Sequence, residues 1–91
     1  ALLGAPQPFA ATDVTLFPGY GPGYARPYEP ALAAIALAAR AEGLLLDPVY
    51  SGKAMAGLID LIRTGQFTAD QHVVFLHTGG WPSLFATLGP L

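Results

Sequence analysis

The chain has 91 residues, no cysteine, four basic residues and a formal net charge of −2. That length allows one small domain at most, and the missing cysteines exclude a disulfide scaffold and a thiolate metal site. The four basic residues, Arg26, Arg40, Lys53 and Arg63, form no cluster, which argues against nucleic acid as a partner. Charged residues make up 11% of the chain, against roughly a quarter in an ordinary soluble domain. Too few charges are present to coat a free-standing globule. The longest uninterrupted apolar run, Ala31 to Ala39, is far short of the ~20 residues of a spanning helix, so a membrane span is not expected. Residue 1 is alanine, the sole methionine is Met55, and no signal-peptide pattern opens the chain. The expectation is a piece of a larger protein whose remainder covers these surfaces.

Residues 1–11 hold two prolines and a glycine without a clear period and read as loop or the tail of an element. Asp13 to Phe17 is a short strand candidate. Pro18 to Pro27 carries three glycines, three prolines and two tyrosines, a turn-rich loop. A helix follows, with Pro30 suited to its first turn, Glu29 favouring the positive end of the dipole, and Gly43 as its stop. It has almost no polar face, so burial nearly all round is expected.

Leu44-Leu45-Leu46 is a short apolar segment closed by Asp47-Pro48. A second helix begins near Ser51 or Gly52. Its large apolar residues Met55, Leu58, Ile59 and Ile62 keep helical spacing, while Lys53, Asp60 and Thr64 share the opposite face. Gly65 ends it. Val73 to His77, β-branched and aromatic, reads as a buried strand. Pro82 then opens a short last helix through about Thr87. Alternating helices and apolar strands favour an α/β fold, a parallel sheet covered by helices.

Thr78-Gly79-Gly80 follows the last strand candidate, at the end where open α/β sheets bind ligands. Paired glycines allow a tight turn and close backbone approach to a ligand, although such pairs also serve plain strand-to-helix turns. Tyr50 could stack on an aromatic ligand or lend its hydroxyl to proton transfer, or it could anchor a turn. Ser51 could cap the second helix or point its hydroxyl into a site. Lys53, the sole lysine, is the one local Schiff-base candidate, but its place on the outer helix face reads as solvated. His77 could be a general base or a satisfied sheet histidine. His72 reads as surface, and the two histidines make no metal site. Tyr20 and Tyr24 could reach over a ligand from the Gly/Pro loop, and Arg26 could bind a carboxylate or be solvated.

The run from Glu42 to Ile59, containing Leu46-Asp47-Pro48-Val49-Tyr50-Ser51-Gly52-Lys53-Ala54-Met55, resembles the C-terminal half of the D-cysteine desulfhydrase and 1-aminocyclopropane-1-carboxylate (ACC) deaminase family. Val74 to Gly80 and Gly23-Tyr24 continue the likeness, which covers about residues 12–88. The resemblance implies a pyridoxal-phosphate enzyme of the tryptophan-synthase-β-like fold, fold type II. Residues 1–91 would then be the C-terminal segment of the large cofactor-binding domain of a cytoplasmic homodimer. It implies Tyr50 at the cofactor ring and in substrate chemistry, with Tyr24 as a second active-site tyrosine. Thr78 would face the pyridine nitrogen, with Gly79 beside it, and Ser51 would stand where desulfhydrases usually have threonine.

ACC deaminases tend to have glutamate at the position of Ser51 and leucine at that of Thr78. A hydroxyl partner leaves a ring nitrogen largely neutral, and the shallower electron sink suits prompt β-elimination. The resemblance therefore implies D-cysteine converted to pyruvate, sulfide and ammonia. ACC deamination is disfavoured, and L-cysteate sulfo-lyase remains an alternative. The family's Schiff-base lysine lies upstream of this segment and Lys53 does not replace it, so the segment alone is expected to be inactive. From another class, a non-catalytic remnant that folds or binds a partner is the rival reading.

Overall fold

The computed structural model describes residues 8–88. Of the loop expected over 1–11, residues 1–7 lie outside the described residues. Three helices follow in order: α1 over Glu29–Glu42, α2 over Ser51–Arg63 and α3 over Pro82–Leu88. None is long and apolar enough to cross a membrane.

α1 starts and stops where its punctuation dictates. Glu29 and Pro30 occupy the first turn, and Gly43 ends the helix in the left-handed region at φ 66°. Gly43 N–H donates to Ala39 O and Leu44 N–H to Ala38 O, which satisfies two carbonyls of the last turn. Its buried face is Ala31, Ala34, Ile35 and Ala38, whereas Leu32 and Leu37 remain partly exposed. Within the described residues only this one face of α1 is buried. Nothing among the described residues covers the other.

α2 packs on that face through its small residues. Gly52 and Ala56 are buried. A Cβ on Gly52 would stand 2.9 Å from Ile35 Cδ1 and 2.5 Å from the Asp47 carbonyl oxygen, so only glycine fits there. Met55 and Phe75 pack against a core of Ile35, Ala38, Leu46 and Leu84. Full burial of a side chain such as Leu46 contributes about 1.5–3 kcal/mol. The large apolar residues of α2 are less buried than their spacing suggests, and Ile62 is exposed.

The opposite face of α2, read from sequence as solvated, is covered by the Gly/Pro loop. Lys53, Gly57 and Asp60 line one stripe of the helix. The Tyr20 ring lies against Gly57, where a Cβ would sit 3.4 Å away. Tyr20 Oη donates to Asp60 Oδ2 at 2.7 Å, and Lys53 Nζ donates to Gly23 O at 2.8 Å. The helical period located the polar stripe correctly but could not show what lies on it.

Neither strand candidate pairs with a neighbour among the described residues. Ala11–Asp13 forms a single 3₁₀ turn, with Asp13 Oδ2 accepting the Ala10 N–H at 2.8 Å, and residues 14–17 continue outside any ladder. Residues 71–80 run without helix and without a paired strand among the described residues. Phe75 turns inward, while Val74 is 91% and Leu76 80% exposed. A strand exists only through hydrogen bonds to a neighbour. The apolar sequence is of strand type, but no parallel sheet is present among the described residues.

Candidate functional site

The segment between Leu46 and α2 is built around one carboxylate. Asp47 is fully buried. Its Oδ2 accepts the N–H groups of Val49 and Tyr50, both at 2.8 Å. Its Oδ1 accepts the Ser51 N–H at 2.9 Å and the Ser51 hydroxyl at 2.6 Å. The Asp47 N–H donates back to Ser51 Oγ at 2.8 Å, and the Asp47 carbonyl accepts the Gly52 N–H at 2.7 Å. α2 has no side-chain cap from Tyr50, the residue that precedes it. Asp47 supplies that service from three positions earlier. Burial pushes its carboxyl up, but the hydrogen bonds from Ser51, Tyr50 and Val49 together outweigh this and hold its pKa below the ordinary aspartate value.

The turn aims Tyr50 outward. Its side chain is 59% exposed, and its ring centroid lies 6.1 Å from that of Tyr24, the planes tilted by 54°. The pKa of Tyr50 is raised, first by hydrogen bonding to the Tyr24 hydroxyl and by its charge, then by burial and the Asp47 carboxylate. The phenol therefore keeps its proton to higher pH than a free tyrosine. Tyr24 reaches this position because the loop before it is anchored. Lys53 Nζ holds Gly23 O, the Arg26 N–H also donates to that carbonyl, and the Lys53 stem packs on Gly21. Gly21 and Gly23 have φ of 149° and 146°, and Ala25 sits at φ 56°. The expectation of a solvated Lys53 is replaced by a lysine that pins the loop carrying Tyr24.

Thr78 and Gly79 lie in the second half. His77 Nε2 is 2.8 Å from Leu45 O, and Gly79 N–H donates to His77 Nδ1 at 3.0 Å. A carbonyl can only accept and an amide N–H can only donate, so His77 is neutral with its proton on Nε2. It ties the end of the extended run to the segment before Asp47. Thr78 is exposed. Gly79 has φ 92° with open space where a side chain would stand. Gly80 has φ 86°, and a Cβ there would lie 2.9 Å from Asp47 Oδ1.

The structure thus brings Tyr24 and Tyr50 together and seats Ser51 inside the Asp47 turn, 2% exposed, with its hydroxyl proton committed to Asp47. Thr78 and Gly79 reach the same region through His77 and Gly80. Sequence reading missed Asp47 itself. The available signal was an aspartate before proline, four residues from a serine at a helix start. An apolar groove of about 460 Å³ lies elsewhere, lined by Phe17, Tyr20, Gly57, Leu58, Val74 and Phe75. It holds none of the five candidate residues and is a gap between α2, the loop and the extended run. Among the described residues no group of three side chains could hold a metal ion.

The family described as pyridoxal-phosphate dependent enzyme matches residues 3–79. The D-cysteine desulfhydrase of Klebsiella pneumoniae (strain 342) is 54% identical over 78 residues, 85% of this chain and 24% of that protein. Its namesake from Yersinia enterocolitica serotype O:8 / biotype 1B is 56% identical over 75 residues, 81% of this chain and 23% of the relative. That from Serratia proteamaculans (strain 568) is 57% identical over 74 residues, covering 80% and 22%. The chain spans about a quarter of the length of these relatives. It belongs to the family of pyridoxal-phosphate dependent enzymes.

Proposed function

We propose that residues 1–91 are the C-terminal segment of the large cofactor-binding domain of a fold type II lyase that converts D-cysteine to pyruvate, sulfide and ammonia. The observation that carries this reading is the 54–57% identity to D-cysteine desulfhydrases across most of the chain. In this reading the extended run 73–77 is a strand of a parallel sheet whose other strands come from the rest of the protein. The active enzyme is a cytoplasmic homodimer.

The residues present fit the pyridine end of pyridoxal phosphate. They offer two phenols, an exposed neutral hydroxyl at Thr78, and a Gly79 backbone that no side chain shields. The nearby carboxylate, Asp47, is spent on backbone and serine donors. When bound, the cofactor supplies an electron sink for the substrate's α-carbon. The Thr78 hydroxyl would hold the ring nitrogen as a neutral partner, with Gly79 allowing close approach. Tyr50 would pack at the ring and hold a proton at Oη, which its raised pKa keeps in place to higher pH. Tyr24 stands toward the substrate beside it. Ser51 backs the cofactor from within the Asp47 turn. By the family resemblance the Schiff-base lysine belongs to the part of the protein before this segment, and Lys53 Nζ serves instead to hold Gly23 O.

The deciding experiment uses the full-length protein purified with pyridoxal phosphate and given D-cysteine. Sulfide and pyruvate in equal amounts are expected. Bound cofactor with neither product would overturn the substrate assignment.

A further inference from the structure

Asp47 belongs to neither half of the proposed site, yet it holds one half by hydrogen bonds and the other lies against it. From one side its Oδ2 holds the backbone of Tyr50 at 2.8 Å, and its Oδ1 holds Ser51. From the other side Gly80 comes so close that a Cβ would meet Oδ1 at 2.9 Å and Cγ at 3.0 Å. Gly80 is two residues from Thr78, and its φ of 86° disfavours any side chain. The carboxylate is fully buried, so its geometry is not shared with solvent. Four donors converge on it, and all four lie within Val49 to Ser51.

We infer that Asp47 is a positioning residue of the site: its buried carboxylate fixes the Tyr50 turn and the Thr78-Gly79-Gly80 turn in one relative placement. The inference rests on the reading that Tyr50 and Thr78 meet the cofactor. An asparagine at this place is nearly the same size, but its amide nitrogen must face an N–H group, and donor opposes donor. One of the two arms of the turn is then released, and Tyr50 moves relative to Thr78. An alanine at Gly80 strains that turn by its φ and also presses on the Asp47 carboxylate from the opposite side, and the double variant separates the two effects.

The test uses the full-length protein with Asp47→Asn, Gly80→Ala and the double variant. Two readouts need no turnover: the dissociation constant for pyridoxal phosphate and the visible absorption band of the bound cofactor. In Asp47→Asn the cofactor should bind about fivefold more weakly, the loss of one net hydrogen bond, with a displaced band. If D-cysteine is a substrate, kcat should fall roughly ten- to a hundredfold through misplacement, with KM little changed. Gly80→Ala should reproduce these effects, and the double variant should be less than additive because both disturb one contact. If the wild-type protein binds the cofactor but releases no sulfide, the substrate reading fails, and Asp47 is still judged on affinity and band position. A folded Asp47→Asn protein with unchanged affinity, spectrum and turnover overturns the inference. If Asp47→Asn does not fold, unchanged values in Gly80→Ala overturn it. Loss of folding in both assigns Asp47 to the fold rather than to the site and also overturns it.

Discussion

Lys53 reaches from the first turn of α2 to donate a hydrogen bond of 2.8 Å to the carbonyl of Gly23, thirty residues earlier in the chain. The bond fixes the loop immediately before Tyr24, whose ring stands beside that of Tyr50. A single lysine thus links the helix that begins at Ser51 to the approach of the second tyrosine. Lys53→Met keeps most of the packing stem on Gly21 and removes the charge. The expected result is a loop loosened by about 1 kcal/mol, the usual net value of such a bond. Hydrogen exchange of the Gly23 and Tyr24 amides should quicken. Unaltered exchange there would free Lys53 of this role.

Gly52 is the tightest point between α1 and α2. A methyl group at this position meets both Ile35 and the Asp47 carbonyl. Gly52→Ala should destabilise the protein by about 1–3 kcal/mol through overpacking, despite the better helix propensity of alanine. Urea unfolding of the variant and the wild type measures the difference, and equal midpoints would refute the crowding.

Acid should find Asp47. Its folded pKa lies below the ordinary 3.8. A carboxyl whose folded pKa is depressed contributes stability that is fully present above the unfolded value and lost as pH falls through the folded one. The stability gap between wild type and Asp47→Asn should therefore be constant near neutrality. It should shrink below the ordinary aspartate value as the carboxylate is protonated. A gap independent of pH down to acid unfolding would contradict the assignment.

His77 is held in one tautomer by two partners, Leu45 O and the Gly79 N–H. His77→Phe keeps a ring of similar size and removes both bonds, at a cost of about 1–2 kcal/mol to the ordered turn. Weaker cofactor binding without global unfolding is the expected outcome, read by titration with pyridoxal phosphate and by thermal melting. Retained affinity would show that Thr78 is ordered by other means.

Thr78→Leu addresses the proposed chemistry most directly. It removes the hydroxyl from an exposed position and disturbs no contact of the core. Turnover of D-cysteine should drop sharply while the cofactor stays bound. A variant as active as the wild type would take Thr78 out of the mechanism.

Local chemistry was legible in the sequence wherever punctuation was strong. Pro30 and Gly43 bracket α1, and the spacing along α2 located its stripes. What the stripes touch was not legible, because Tyr20 meets Asp60 across forty residues and Lys53 meets Gly23 across thirty. Such pairings depend on the path of the loop, which no helical period encodes. Tyr50 and Ser51 stood out as candidates, whereas Asp47 did not. Its work consists of accepting backbone N–H groups, and an Asp-Pro pair advertises a turn without saying what the carboxylate holds. Val73 to His77 has strand composition but no ladder, since β-structure needs a neighbour that sequence pattern alone does not supply.

The bare extended run has a practical consequence. Val74 and Leu76 project from one side of it and Phe75 from the other, leaving the backbone between them unpaired among the described residues. A short apolar stretch with open edges on both sides is a template for intermolecular β-pairing. Produced apart from whatever normally flanks it, the segment should associate with its own copies through Val73–Leu76, and a lysine in place of Val74 is the change expected to keep it in solution.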